Sequence, residues 1–297
     1  MGIGDDAAVI APGRDRLVWT VDVCIENVHF DRRFLSLADV GFRSLNSAAS
    51  DLAAMGAQPL AALSSLVVPP RIAKRELREL GQGQAEASRQ LKYPVVGGNI
   101  SRGSELGVTT TVLGEVPRPI RRSGGRPGDD LWLVGDVGLA RAGLLILSQG
   151  PRMQPTRHAA AAQERCVEAW RRPQALISRG RALRDRAHAG IDVSDGLSGD
   201  AQHLSEASGV RVVIEKPRLA RALSDELSRV AELLGQDALT LALEGGEDYA
   251  LLATGPRAKR PRWVRTIGRV EAGEGAVLEE PGRAARKLRG GFDHLAG

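Results

Sequence analysis

Aromatic side chains are scarce in this 297-residue chain: four Phe, four Trp and two Tyr, 3% of the sequence. A core so poor in rings must be filled by Ala, Val, Leu and Ile. It offers no rows of stacking aromatics of the kind that bind single-stranded nucleic acid. Cysteine is almost absent. Cys24 and Cys166 stand far apart with no CxxC, which excludes a disulfide framework and a cysteine-type zinc site. Long apolar runs are missing as well: no stretch approaches the roughly 20 apolar residues of a membrane span. The N-terminus has no basic segment followed by an apolar one, and Asp6 stands where a myristoylation signal needs Ser or Thr. The expectation is a cytoplasmic protein without a membrane partner. Lysine is the last shortage. Of 41 basic residues five are lysine (Lys74, Lys92, Lys216, Lys259, Lys287), which leaves 36 arginines. Arginine grips phosphate and carboxylate as a planar fork, where lysine is a point charge.

The rest of the composition is ordinary for a globular chain, with 42% hydrophobic and 26% charged residues. The formal net charge of +5 is scattered. Local clusters at Arg118–Arg126 and Lys259–Arg265 form no single long tract, so composition alone favours a background bias over a polyanion partner.

Apolar periodicity predicts strands over Leu17–Val23, Leu60–Val68, Tyr93–Val96 and Val108–Val116. Helices are predicted over Leu37–Met55, with Gly56 as its C-cap, and over Ala73–Leu91. The basic stretch between Pro117 and Pro127 is punctuated by Pro119, Gly124 and Gly125 and marks a domain boundary, giving domains 1–120 and 121–297. Beyond it, strands are predicted over Leu131–Val134, Gly190–Val193, Val210–Ile214, Tyr249–Ala253 and Val264–Ile267. Helices are predicted over Leu139–Leu147, Ala159–Trp170, Leu197–Ser208 (closed by Gly209) and Leu219–Leu234. Strands alternate with helices in both halves, so the fold class is α/β or α+β, in two domains.

The informative feature is a set of aspartates, most of them beside glycines in turns: Gly4-Asp5-Asp6, Thr20-Val21-Asp22, Ser50-Asp51-Leu52, Asp192-Val193-Ser194-Asp195-Gly196 and Gly246-Glu247-Asp248. Any one of these, taken alone, reads as a helix cap, an Asx-turn or a solvated loop. As a set, carboxylates without His or Cys partners suit a hard oxygen-seeking cation, Mg²⁺ above all. Magnesium completes its shell with water and substrate phosphates, so the set suggests nucleotide phosphates held through metal. The P-loop motif GxxxxGK[ST], the protein-kinase motifs and a GxSxG elbow are all missing.

In order, Gly2-Ile3-Gly4-Asp5-Asp6, Val28-His29-Phe30, Ser50-Asp51-Leu52-Ala53-Ala54-Met55-Gly56-Ala57, Gly97-Gly98, Arg122-Ser123-Gly124, Asp192–Leu197, Gly246-Glu247-Asp248-Tyr249 and Gly291-Phe292-Asp293-His294 resemble the thiamine-monophosphate kinase family. That family belongs to the superfamily of aminoimidazole-ribonucleotide synthetase, selenophosphate synthetase and the hydrogenase-maturation dehydratase. The resemblance implies ATP- and Mg²⁺-dependent phosphorylation of thiamine monophosphate to thiamine diphosphate. It also implies a homodimer in which the mixed N-terminal sheets pair, residues 1–120 being the ATP- and metal-binding and dimerisation domain. Residues 121–297 would be a sheet packed with helices, so the resemblance implies an α+β fold of the α/β sandwich type. By motif correspondence Asp6, Asp22, Asp51, Asp192 and Asp195 would be metal ligands, with Thr20 beside them. Asp51, Asp195 and Arg122 would carry catalysis. Gly98, Arg122 and Ser194 would touch ATP, and His29 and Glu247 would contact the thiamine phosphate. The expected transfer is direct and in-line, with no phosphoenzyme.

Four departures from the family pattern stand out. The sequence begins at the GIGDD turn, before which the family has a further segment with a helix; the start codon is misplaced or that element is lacking. Val21 replaces a hydroxyl residue, leaving its backbone carbonyl to serve the metal. Asn99 replaces an Asp, so one metal position near the nucleotide loses a negative charge. Arg289 stands near where an aromatic would pack on the substrate. Two other readings follow: another ATP-dependent phosphoryl-transfer enzyme of the superfamily or a weakened homologue, and, more remotely, a basic nucleic-acid-binding protein recognisable by a contiguous Arg/Lys face.

Overall fold

The computed structural model describes residues 13, 15–149 and 157–288. Asp6, Arg289 and the GFDH segment lie outside the described residues.

Strand β1 (Arg16–Ile25) alternates inward and outward side chains. Val18 and Cys24 are buried, whereas Leu17, Trp19 and Val21 face out, as a strand covered on one face requires. It pairs antiparallel with β4 (Gly107–Val116), β4 pairs antiparallel with β2 (Gln58–Val68), and β2 pairs parallel with β3 (Val95–Arg102). The order is β1-β4-β2-β3.

Helices α1 (Leu37–Ala54) and α2 (Lys74–Leu91) lie against this sheet. A capping box starts α1: the Ser36 hydroxyl accepts from Asp39 N, and the Asp39 carboxylate accepts from Ser36 N. Gly56, at φ +68°, ends it. The two helices touch backbone to backbone. A Cβ on Gly41 would collide with the Leu80 carbonyl, and one on Gly83 with the Ala38 carbonyl. Nearly all of α1 is buried, including Arg43, Asn46 and three serines (Ser44, Ser47 and Ser50), because it packs against the second sheet as well as the first.

That sheet has the order β11-β10-β7-β9-β5-β8-β6 among the described residues. Its strands are β5 (Asp130–Val134), β6 (Ala189–Val193), β7 (Arg211–Glu215), β8 (Ala250–Gly255), β9 (Arg265–Glu271), β10 (Ala276–Glu279) and β11 (Arg286–Lys287). Helices α3 (Leu139–Gln149), α4 (Arg157–Arg171), α5 (Ile177–Leu183), α6 (Leu197–Ser208), α7 (Lys216–Ala222), α8 (Asp225–Leu234) and α9 (Ala238–Glu244) accompany it. Its largest core cluster contains Leu, Ile, Val and Ala with one Cys and no ring, as the aromatic shortage requires. The α+β class is that of the structure, with one mixed sheet and one large sheet packed with helices.

Three local readings change. The sequence places a strand stop at Gly97-Gly98, but β3 runs through both to Arg102. The missing Cβ of Gly98 is what lets the strand lie against the Ser64 carbonyl. The helix expected over Leu219–Leu234 is two helices: Leu223 is extended and the Ser224 hydroxyl caps α8 by accepting from Leu227 N at 3.2 Å. Helices α5 and α9 and strands β10 and β11 are additional; each is too short for its period to register.

Candidate active site

Asp51 occupies the last turn of α1, facing β1, where Thr20 is on the inward side. The Thr20 hydroxyl donates to the Asp51 carboxylate. Asp192 comes from the other sheet, near the end of β6, and accepts a 2.7 Å hydrogen bond from the Ser50 hydroxyl of α1. A cavity of about 340 Å³ opens here, lined by Thr20, Asp51, Met55, Ile120, Arg122 and Asp192 among others. Two carboxylates remote in sequence, one on α1 and one on β6, thus line the same cavity.

Their charges are poorly accommodated by the protein alone. Burial pushes the Asp51 carboxyl up; the Thr20 hydrogen bond opposes this, the charge of Asp22 adds to it, and Arg122 lowers it. Burial, then the charge of Asp51, pushes Asp192 up to about 7. Arg122 is the cation facing both, from an exposed position in the 117–129 loop. Among the described residues no group of three or more His, Cys, Asp or Glu is placed to hold a metal. The donors are a carboxylate pair with a hydroxyl beside it. That set fits Mg²⁺, which takes one or two carboxylates and completes its shell with water and phosphate oxygens.

The loop after β6 carries Ser194 and Asp195, both half-buried. It is folded back on Asp200, a buried residue of α6 whose carboxylate accepts from the backbone of Asp195 and Ser194. Burial, then the charges of Asp192 and Asp195, pushes Asp200 up to about 8. The GGEDY loop packs on the same turn: Glu247 N donates to Ser194 O at 2.7 Å and Tyr249 N to Val193 O at 2.9 Å. Glu247 holds φ +68°, and its carboxylate pairs with Arg43 of α1. Half-buried Asp248 accepts from Gly138 N at 2.6 Å and Ala140 N at 3.0 Å, fixing the start of α3. Burial pushes its carboxyl up to about 7.

The remaining expected residues are spread out. Asp22, inward on β1 and paired in register with Thr110, acts on Asp51 through its charge. The Val21 side chain is on the opposite, exposed face. Gly98 and Asn99 are on β3; Asn99 is exposed, donates to the Ser101 hydroxyl at 2.9 Å, and is in register with Ser65. His29 sits in the turn after β1, its Nδ1 accepting from Ile25 N at 3.2 Å. Within one copy of the chain, the cavity gathers Thr20, Asp51, Arg122 and Asp192. Sequence reasoning missed Arg43, Asp200 and the structural role of Asp248. The spacing Asp195 to Asp200, a carboxylate one turn into a helix after a glycine turn, was the available signal for the second of these.

Three carboxyls whose pKa is raised by desolvation make a pH prediction. Asp192, Asp200 and Asp248 bind their protons more tightly in the folded state than in the unfolded, where Asp titrates near 3.9. Their contribution to the metal-free protein is therefore full below about pH 4 and is lost as pH rises through 7–8. Mg²⁺ at the Asp51–Asp192 pair competes with the proton, so it should raise the melting temperature at pH 8 and little at pH 5.5. Equal Mg²⁺ shifts at both pH values would contradict the assignment.

The description "AIR synthase related protein, N-terminal domain" matches residues 4–116. The thiamine-monophosphate kinase of Aquifex aeolicus is 36% identical over 93% of this chain and 89% of its own length. That of Pyrococcus abyssi is 32% identical over 99% and 91%. The solved structure "AaThiL complexed with AMPPCP and TMP" superposes with a TM-score of 0.83 at 34% identity, covering 96% of this chain and 91% of that one. Likeness of this extent in both sequence and backbone shows that the chain belongs to the thiamine-monophosphate kinase family.

Proposed function

We propose that this protein transfers the terminal phosphoryl group of ATP to thiamine monophosphate, forming thiamine diphosphate, with Mg²⁺. The observation that carries the reading is the meeting of Asp51, on α1, and Asp192, near the end of β6, in a cavity that Arg122 also faces. The family relatives support it, as does the AMPPCP and TMP complex of a chain with the same backbone.

The acceptor is a phosphate oxygen. A phosphomonoester has a second pKa of about 6, so the nucleophile is already anionic near neutral pH and needs no strong general base. The task is to bring two polyanions together in line. Asp51 and Asp192 would hold the metal, with Thr20 orienting Asp51; bound there, Mg²⁺ supplies neutralisation of phosphate charge. Arg122 adds a cation that neutralises the transferring group from the loop side. Ser194, Asp195 and Gly98 are assigned to the nucleotide and its metal, and His29 and Glu247 to the thiamine phosphate. Residues 1–120 form the metal-binding and dimerisation unit in this reading, and 121–297 the second domain. Incubation with ATP, Mg²⁺ and thiamine monophosphate, followed by chromatography for thiamine diphosphate, tests it; no product would sink it.

The same reading includes a homodimer. Leu17, Trp19, Val21, Leu63 and Val67 share the uncovered face of the first sheet, and Trp19 is 71% exposed. A second copy of this face is self-complementary about a two-fold axis. Trp19→Asp should yield monomers at micromolar concentration in sedimentation analysis, because each dimer would bury two unpaired carboxylates. An unchanged dimer would reject this interface.

A further inference from the structure

The loop that carries Arg122 is held at several backbone points, and one side chain holds two of them. Ser208, the last residue of α6, donates through its hydroxyl to the Arg122 carbonyl at 2.8 Å and accepts from Gly125 N at 3.1 Å. The single hydroxyl proton and one lone pair are both used. The two anchor points flank Gly124, whose φ of +122° is open only to glycine, so the hydroxyl spans the sharpest bend of the loop. Upstream, Gly190 N at the head of β6 donates to Arg121 O at 2.9 Å. Downstream, the Asp129 carboxylate accepts from Arg126 N at 3.0 Å and meets His188 Nδ1 at 3.0 Å.

The unit β6–loop–α6 therefore has both ends in the site. Its first half presents Asp192 and Asp195, and its final residue grips the loop that presents Arg122. Without the hydroxyl, Arg122 O and Gly125 N lose the partner that fixes the bend, and Arg122 itself is exposed. We propose that Ser208 is a positioning residue for Arg122, setting the distance of that guanidinium from the Asp51–Asp192 pair and so the charge felt by the bound nucleotide phosphates. The proposal rests on the phosphoryl-transfer reading for its kinetic consequence and on geometry alone for the clamp.

The test is a double-mutant cycle with an exchange readout. Ser208→Ala should raise KM for ATP and lower kcat/KM by about tenfold, as expected for loss of positioning of one charged group. The helix itself should not suffer, since Ala is the better helix former, and the melting temperature should stay within about 2 °C. Ser208→Thr, which keeps the hydroxyl, should restore most of the loss. In the Arg122→Ala background Ser208→Ala should change kcat/KM by less than about twofold, because nothing is left to position. Equal falls in both backgrounds would overturn the proposal. Hydrogen exchange at amides 123–126 reads the clamp without any turnover: faster exchange in Ser208→Ala is expected, and unchanged exchange would overturn the proposal even if activity fell. A wild-type protein that makes no thiamine diphosphate would bring down the kinase reading, with exchange still judging the clamp.

Discussion

Asp51→Asn should lower the rate of thiamine diphosphate formation by on the order of 10³, the scale of losing one preorganised charge at a phosphoryl-transfer site. The same change should leave the metal-free protein at least as stable as the wild type. Asp51 is a half-buried carboxylate whose pKa is pushed up by desolvation and by Asp22, and it in turn raises Asp192. Removing its charge relieves that repulsion, while the amide oxygen can still accept from the Thr20 hydroxyl. A purely structural aspartate would behave in the opposite way: its loss would destabilise the fold and touch catalysis only through unfolding. Melting curves with and without Mg²⁺ at pH 8 separate the two. The variant should show a raised or equal melting temperature without metal and no Mg²⁺-induced rise. A lowered metal-free melting temperature together with an intact Mg²⁺ shift would rule out Asp51 as a ligand.

Arg43→Met should cost about 3 kcal/mol of stability, the range for breaking a buried charge pair from one side. Arg43 is 1% exposed on α1. Its guanidinium donates to the Trp170 carbonyl at the end of α4, lies over the Trp170 ring at 5.2 Å, and pairs with Glu247 of the GGEDY loop. One side chain thus ties the first layer of the fold to two elements of the second. The Glu247 side chain is 31% exposed, so once freed it can turn to water, which keeps the cost below that of a sealed pair. Function should fall as well, because Glu247, at φ +68°, would lose the partner that aims it. KM for thiamine monophosphate should rise about tenfold with a smaller change in kcat. Urea unfolding and steady-state kinetics on Arg43→Met, Glu247→Gln and the double variant check both statements. Coupling appears as a double-variant loss smaller than the sum of the single losses; strict additivity would show that the pair carries no energy.

Both results depend on partners that no local pattern announces. The α1 helix was legible, since apolar residues recur through it and Gly56 ends it. That Arg43 inside it faces Trp170 and Glu247 was not, because the partners lie more than a hundred residues away. The split at Leu223-Ser224 shows a related difficulty: the apolar period continues across the break, and only the extended backbone of Leu223 reveals two helices. At Gly97-Gly98 the fault was opposite. Two glycines read as a stop, whereas the close approach to Ser64 made them a requirement of the strand.

The site divides along the same line. Sequence by itself pointed to the proposed chemistry: aspartates in glycine turns, without His or Cys partners, suit a hard cation and a phosphate substrate. It also determined a core filled chiefly by Leu, Val, Ile and Ala and the alternation of strands and helices, because composition and period are local quantities. Tertiary structure alone decided which aspartates meet. Packing of α1 between two sheets brings Asp51 and Asp192 to one cavity. The same packing sets Val21 and Asn99 on the uncovered side of the first sheet and assigns Asp200, Asp248 and Ser208 to hold loops in place. Such supporting contacts are paid for by burial, and burial is a property of the assembled chain that no stretch of sequence possesses alone.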